Sequence, residues 1–140
     1  WLGESPGRSS LFMTLTIFVP KGSDVGAYFA GTFFGKHKMT PVLSPKKTWE
    51  GAVGGLLYAM LVAIGFNLGY DAIPGGILGA AAFAIVVTIV AMCGDLAESL
   101  IKRDCQAKDA SRSIPGFGGL LDVIDSVLFA APVAYIWFRI

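Results

Sequence analysis

Apolar and polar positions fall in long alternating blocks along this chain. Residues 11–19 are apolar, Pro20, Lys21, Gly22, Ser23 and Asp24 interrupt them, and residues 25–34 are apolar again. A lysine-rich stretch, residues 36–50, comes next, and then residues 51–70 and 72–94 carry no charge at all. Each of these two runs exceeds the roughly 18 apolar residues that mark a helix able to cross a bilayer core of about 30 Å. The pattern predicts an all-α, polytopic membrane helix bundle with about four transmembrane segments, forming a single domain over residues 1–140. The first segment is expected to be interrupted between Pro20 and Asp24, because proline removes a helix hydrogen bond and clashes with the preceding turn. Ser23 or Asp24 would then cap its second half. A short interfacial helix followed by a separate one is the alternative. The second helix runs from Gly51 to the Asn67–Tyr70 region, and a turn with Asp71, Pro74, Gly75 and Gly76 follows it. The third begins near Ile77 and continues beyond Gly94 to Arg103, and the fourth extends from near Gly119 to near Phe138.

Composition supports the membrane reading. The chain is 54% hydrophobic and only 15% charged, whereas soluble chains carry about a quarter charged residues. The net charge of +1 matters less than its distribution. Lys36, Lys38, Lys46 and Lys47 face one acid, Glu50, in the first charged stretch, and Lys102, Arg103, Lys108 and Arg112 populate the second. Basic loops lie on the cytoplasmic side, so both stretches are expected there and the Asp71 turn outside. Arg139 falls on the outer side in this scheme. The chain is thus expected to be an integral membrane protein. The sequence opens at Trp1 without a signal-peptide pattern, so further upstream sequence is expected. Cys93 and Cys105 do not make a disulfide framework. Gly51/Gly55 and Gly75/Gly79 are spaced for close helix contacts.

Ionisable groups within or at the ends of membrane helices are costly and mark functional sites. Asp24 is either a helix cap or a polar group facing a cavity among the helices. Asp95, Ser99 and Lys102 share one helical face, with Glu98 and Arg103 alongside. Pairing of Glu98 with Lys102 one turn apart is the plain structural account of that stripe. Asp122 and Asp125 share a face at the start of the last helix, where complementing the helix dipole is the plain account. Before them, Gly118 and Gly119 offer bare backbone that can approach a phosphate closely. Mg²⁺ prefers oxygen ligands and binds through one or two carboxylates plus substrate phosphates. Asp95, Asp122 and Asp125 can supply those oxygens, with Lys102, Arg103 and Lys108 as nearby cations and Asp109 interleaved among them. Phosphoryl-type transfer asks mainly for such positioning and charge stabilisation. The only histidine, His37, lies in a lysine-rich loop, which leaves no Ser-His-Asp grouping for acyl transfer. No feature calls for a nucleic-acid partner.

The run Ser99 to Arg103, then Lys108-Asp109, Ile114-Pro115-Gly116, Gly118-Gly119 and Asp122 to Asp125 resembles the signature of the phosphatidate cytidylyltransferase family. A second block agrees: Asp24 to Tyr28, Gly31, Gly35-Lys36, and Ser44-Pro45-Lys46-Lys47-Thr48-Trp49-Glu50-Gly51, joined by Gly94-Asp95-Leu96 and Glu98-Ser99. The resemblance covers nearly all of the chain from Asp24 onward and implies its C-terminal place in a longer polytopic enzyme. It implies CTP and phosphatidate as substrates, CDP-diacylglycerol and pyrophosphate as products, membrane lipids as partners, Mg²⁺ as the cofactor, and a bacterial inner membrane as the location, with the active site facing the cytoplasm. A homodimer is compatible with it. Carried over by position, Asp95 and Asp122 would hold the divalent cation with Asp125 as a helper. Lys102, Arg103, Lys108 and Asp109 would border the triphosphate in the catalytic group. Ser44, Lys46, Lys47, Ser99, Asp24, Gly118 and Gly119 would bind substrate. Phe117 and Val123 stand where the family commonly has His and Arg, and Arg112 or Lys108 are the candidates to replace them.

Two other readings stay open on the residues alone. A CTP-dependent lipid-alcohol kinase would use the same cations to transfer a γ-phosphate. An ion-transporting membrane protein would use the buried acids as a path, and interrupted helices occur in such proteins.

Overall fold

A computed structural model describes residues 6–41, 44–105 and 120–139, with the side chains of 6, 8, 9 and 120–123 outside that description. Its element order is α1 (Pro6–Phe34), β1 (Lys38–Thr40), β2 (Ser44–Thr48), α2 (Trp49–Tyr70), α3 (Gly76–Asp104) and α4 (Leu120–Arg139). The chain is mostly helical, as expected, and two of its described helices, α2 and α3, are long and apolar enough to cross a membrane.

The expected interruption between Pro20 and Asp24 is absent. α1 runs unbroken through Pro20 and reaches back to Pro6, into a segment that reads as polar in the sequence. Asp24 is therefore mid-helix, and neither it nor Ser23 is a cap. Tight packing accounts for this continuity. Pro20 is fully buried, and the turn after it is pressed against α2. Ser23 is buried, and a Cβ on Gly55 would meet the Ser23 carbonyl at 2.7 Å. Breaking the helix there would leave several backbone groups without partners in an apolar surrounding, at several kcal/mol each. Forgoing the single bond that proline cannot make is the smaller loss.

Among the described elements α1 and α2 form the most extensive pair. Along their seam, added Cβ atoms at Gly26 and Gly51 would meet Tyr58 Cβ at 2.5 Å and the Ala27 carbonyl at 2.9 Å. Gly51 and Gly55 thus serve the close approach that their spacing suggested. Gly75 and Gly79 do not. Gly75 (φ 88°) starts α3 in the left-handed region, and a Cβ on Gly79 would strike the Pro74 carbonyl. That pair shapes the turn before α3 instead. α2 ends at Asp71 (φ 45°), whose N–H donates to the Asn67 carbonyl, while buried Asn67 Oδ1 accepts from Ile73 N–H at 2.7 Å.

The lysine-rich stretch, read as a loop, contains a hairpin. β1 pairs antiparallel with β2, with Lys38 opposite Thr48, Thr40 opposite Ser44 and an irregularity between them. So short a ladder is marginal alone, and its base is pinned by neighbouring contacts. Trp49 N–H donates to the His37 carbonyl at 3.0 Å. His37 Nδ1 lies 2.6 Å from Glu50 Oε1, and Thr48 Oγ1 caps α2 by accepting from Gly51 N–H at 3.1 Å.

Contacts along the helices show α1 antiparallel to α2 and α3 antiparallel to α4. Gly22 faces Tyr58 and Val62 where Gly31 faces Gly51, and Gly94 faces Phe129 where Phe83 packs on Trp137 and Phe138. The hairpin, the end of α3 and the start of α4 therefore gather at one end of the molecule. The apolar core, with Leu15, Val19, Ala63, Ile73, Phe83, Val87 and Ala134 fully enclosed, fills the other.

Candidate functional site: a lysine and carboxylate pocket

At the hairpin end, helical spacing places Asp95 and Glu98 on one face of α3 and brings Asp125 to them from the first turns of α4. One carboxylate oxygen of each lies within 4.8 Å of the others. The close approach of Gly94 to Phe129 holds α3 and α4 together at this level, since a Cβ there would meet the ring at 2.6 Å. Glu98 is 7% exposed and neither of its oxygens has a hydrogen-bond partner among the described residues. Three carboxylates so close repel one another strongly in a partly dry setting, and the arrangement demands positive charge.

Each acid has a lysine from a different direction. Lys47, on β2, reaches Asp95 Oδ2 at 2.6 Å. Lys102, one turn along α3, lies 3.2 Å from Glu98 Oε1, a charge contact without hydrogen-bond geometry. Lys21, on α1, lies 3.7 Å from Asp125 Oδ1 and 3.2 Å from Asp24 Oδ2. Ser126 completes the link between α1 and α4. Its Oγ donates to Asp24 Oδ2 at 3.1 Å, and its N–H donates to Asp125 Oδ1 at 2.6 Å.

Beside the carboxylates lies a cavity of about 260 Å³ between α1, the hairpin, α2 and α3. Ser23, Asp24, Lys46, Lys47, Thr48 and Asp95 give it polar groups, and Ala27, Tyr28, Met39, Gly51, Ala52, Met92 and Leu96 give it apolar walls. A pocket with cations on one wall, an acid cluster at its edge and apolar sides suits an anionic, phosphate-bearing ligand with a greasy portion.

Of the residues singled out in the sequence, Asp24, Lys46, Lys47 and Asp95 meet in this cavity, and Asp125 joins Asp95 in the acid cluster. Lys102 pairs with Glu98 as the structural account of the stripe holds, and Arg103 is exposed beyond it. Ser44 and Ser99 are half-buried at this end without lining the cavity. Asp122 lies one turn before Asp125 on α4, but its side chain is outside the described residues, as are Lys108, Asp109, Arg112, Gly118 and Gly119. Two residues of this cluster are not among the site candidates of the sequence. Glu98 enters there as a partner of Lys102 and as part of the family resemblance, although its place three residues after Asp95 puts it on the same face. Lys21 was absorbed into the supposed helix break, although it precedes Asp24 by the same interval.

Fold and pocket together define a helical chain that carries a phosphate-suited lysine and carboxylate site at one end. The chain belongs to the cytidylyltransferase family, whose sequence profile matches residues 4–140. It is 41% identical over 133 residues to a phosphatidate cytidylyltransferase of Haemophilus influenzae, covering 91% of this chain and 46% of that protein. A phosphatidate cytidylyltransferase of Pseudomonas aeruginosa is 42% identical over 138 residues, covering 97% and 51%. One from Brucella suis is 44% identical over 123 residues, covering 82% and 42%. The chain thus spans about half the length of the relatives it matches.

Proposed function

We propose that this chain forms the catalytic part of a phosphatidate cytidylyltransferase, which transfers CMP from CTP to phosphatidate and releases pyrophosphate. The observation that carries this reading is the Lys47–Asp95 contact at 2.6 Å. It ties the lysine block of the hairpin to the acid cluster of α3 and α4, across a cavity with both polar and apolar walls.

In the proposed reaction an oxygen of the phosphatidate phosphate attacks the α-phosphorus of CTP. A new P–O bond forms, the bond to the β-phosphate bridging oxygen breaks, and pyrophosphate leaves. The attacking phosphate is already anionic, so no strong general base is needed. Lys46 and Lys47 would hold phosphate oxygens at the hairpin wall, with Arg103, Lys108 and Asp109 bordering the triphosphate. Lys102 would serve beside them. The apolar wall at Tyr28, Met92 and Leu96 would receive the glycerol end of the lipid. Asp95, Glu98 and Asp125, with Asp122 three residues before Asp125, would hold Mg²⁺. The unbonded oxygens of buried Glu98 are the feature that fits a cation there. When bound, Mg²⁺ would neutralise phosphate charge that develops during transfer.

The setting proposed is a membrane, with the hairpin end at the cytoplasmic surface. Large apolar side chains stand exposed along the helices, among them Met13, Phe18, Leu57, Leu61, Leu78 and Ile89. Water-facing surfaces rarely tolerate so extended an apolar area, and a bilayer makes it favourable.

Radiolabelled CTP tests the reaction. The full-length protein containing this chain, reconstituted in phosphatidate vesicles, is expected to transfer label from α-labelled CTP into lipid and to leave γ-label in pyrophosphate. Transfer of γ-label into lipid would instead establish a kinase.

A further inference from the structure

Lys21 is a charged side chain in the middle of a long apolar helix, placed where no cap, loop or helix end calls for it. Its ammonium lies between two carboxylates on different helices, 3.2 Å from Asp24 Oδ2 and 3.7 Å from Asp125 Oδ1. The Asp125 side chain is only 11% exposed. Its Oδ1 is engaged on this side by Lys21 and by Ser126 N–H at 2.6 Å, so two contacts restrain the carboxylate that also takes part in the acid cluster. Ser126 also donates to Asp24 at 3.1 Å. Lys21, Asp24, Ser126 and Asp125 thus close a ring of polar contacts that joins α1 to α4 directly behind the acid cluster.

We propose that Lys21 is a positioning residue, whose ammonium, shared between Asp24 and Asp125, fixes the Asp125 carboxylate in the orientation that serves a divalent cation with Asp95 and Glu98. The inference rests on the proposed Mg²⁺-dependent transfer for its purpose, though not for its geometry. Two physical effects oppose each other when Lys21 is removed. Loss of a nearby positive charge raises the attraction for a cation, but Lys21 is about one-third exposed and solvent screens that gain. Loss of orientation is the larger effect, because Asp24 and Asp125 would then repel one another and Asp125 would turn from the cluster. Groups that orient metal ligands typically contribute about 10- to 100-fold to metal affinity or activity.

The test uses the purified full-length protein and Mn²⁺ alone, read by electron paramagnetic resonance without nucleotide or lipid. K21M is expected to weaken Mn²⁺ binding about tenfold, and K21R, which keeps the charge, to recover most of it. S126A, which loosens Asp24 without touching the lysine, should weaken binding by a smaller factor. It also keeps the proposal testable should K21M not fold. In turnover assays the half-activating Mg²⁺ concentration of K21M is expected to rise by a similar factor. Its KM for CTP at saturating Mg²⁺ should stay within about twofold of wild type, since Lys21 touches no proposed phosphate site. Unchanged or tighter Mn²⁺ binding in folded K21M, or full binding in S126A where K21M does not fold, would overturn the proposal. Failure of the wild-type protein to make CDP-diacylglycerol would overturn the functional reading instead, and the Mn²⁺ titrations would still judge Lys21.

Discussion

Glu98 is central to the proposed cation site, because its two oxygens are enclosed beside two further carboxylates and make no hydrogen bond among the described residues, with Lys102 Nζ 3.2 Å away in a charge contact only. A buried carboxylate so placed destabilises the fold unless a cation compensates it. Replacing it by the isosteric amide separates the two roles. E98Q is expected to melt no lower than wild type in the absence of metal, because the lost Lys102 contact is offset by relief of repulsion from Asp95 and Asp125. The same variant should lose at least about tenfold in Mg²⁺ affinity. Differential scanning fluorimetry with and without Mg²⁺ checks both, and wild-type Mg²⁺ stabilisation in E98Q would remove this residue from the cation site. Asp95 was legible in the sequence because an acid at the edge of an apolar run has few purely structural explanations, and Asp125 because a helix dipole does not require two acids on one face. Glu98 was not, because a lysine one turn later supplied a sufficient one, and that ion pair is indeed formed. Lys21 was hidden for a different reason: its partner Asp125 lies more than a hundred residues away, and local spacing carries no trace of that contact.

The α1–α2 seam operates at the scale of whole elements, since it sets the wall from which Lys21, Asp24 and the hairpin project. Its closeness depends on glycines with no room for a methyl group. G55A would put a Cβ 2.7 Å from the Ser23 carbonyl and 3.0 Å from Ala27 Cβ, both on a helix that cannot yield without moving Asp24. Overpacking of this kind costs about 1–3 kcal/mol. G65A, on the same helix but with nothing within 4 Å of its added Cβ, should be neutral or stabilising by up to about 1 kcal/mol, because alanine is the better helix former. Thermal unfolding of the two variants in one detergent is expected to separate them in opposite directions, and equal melting would show that the seam is loose. Periodicity located α2 and α3 to within two residues at every end that it specified closely. It failed at Pro20, where the local rule for proline is outweighed by packing against α2. It also missed the hairpin, whose short strands carry Pro45 and three lysines and owe their pairing to His37, Thr48 and Glu50 at its base.

Among the described residues charge is segregated along the helices: the hairpin lysines, the acid cluster and the basic end of α3 share one end, and Asp71 and Arg139 lie at the other. Two α2 ends fix this polarity. Thr48 and Glu50 sit at its start beside the hairpin, and Asn67 and Asp71 close it at the opposite pole. Arg139, the one basic residue placed against the expected orientation, donates from Nη1 to Tyr135 Oη at 3.0 Å. Tyrosines are enriched at both membrane surfaces, so on the proposed membrane reading this pair is compatible with the outer one. On the proposed membrane reading, the substrate pocket and both basic stretches face the cytoplasm, where CTP is made. Impermeant maleimide labelling of single cysteines decides this. In full-length protein freed of its own cysteines, K38C and a restored Cys105 are expected to label in inside-out vesicles and not in intact spheroplasts. D71C should show the reverse. A restored Cys93, although exposed in the fold, should resist labelling from both sides, because it lies within the apolar run of α3 and a bilayer would cover it. Labelling of K38C and D71C from one common side would break the antiparallel crossing of α2 and, with it, the placement of the pocket at the cytoplasmic surface.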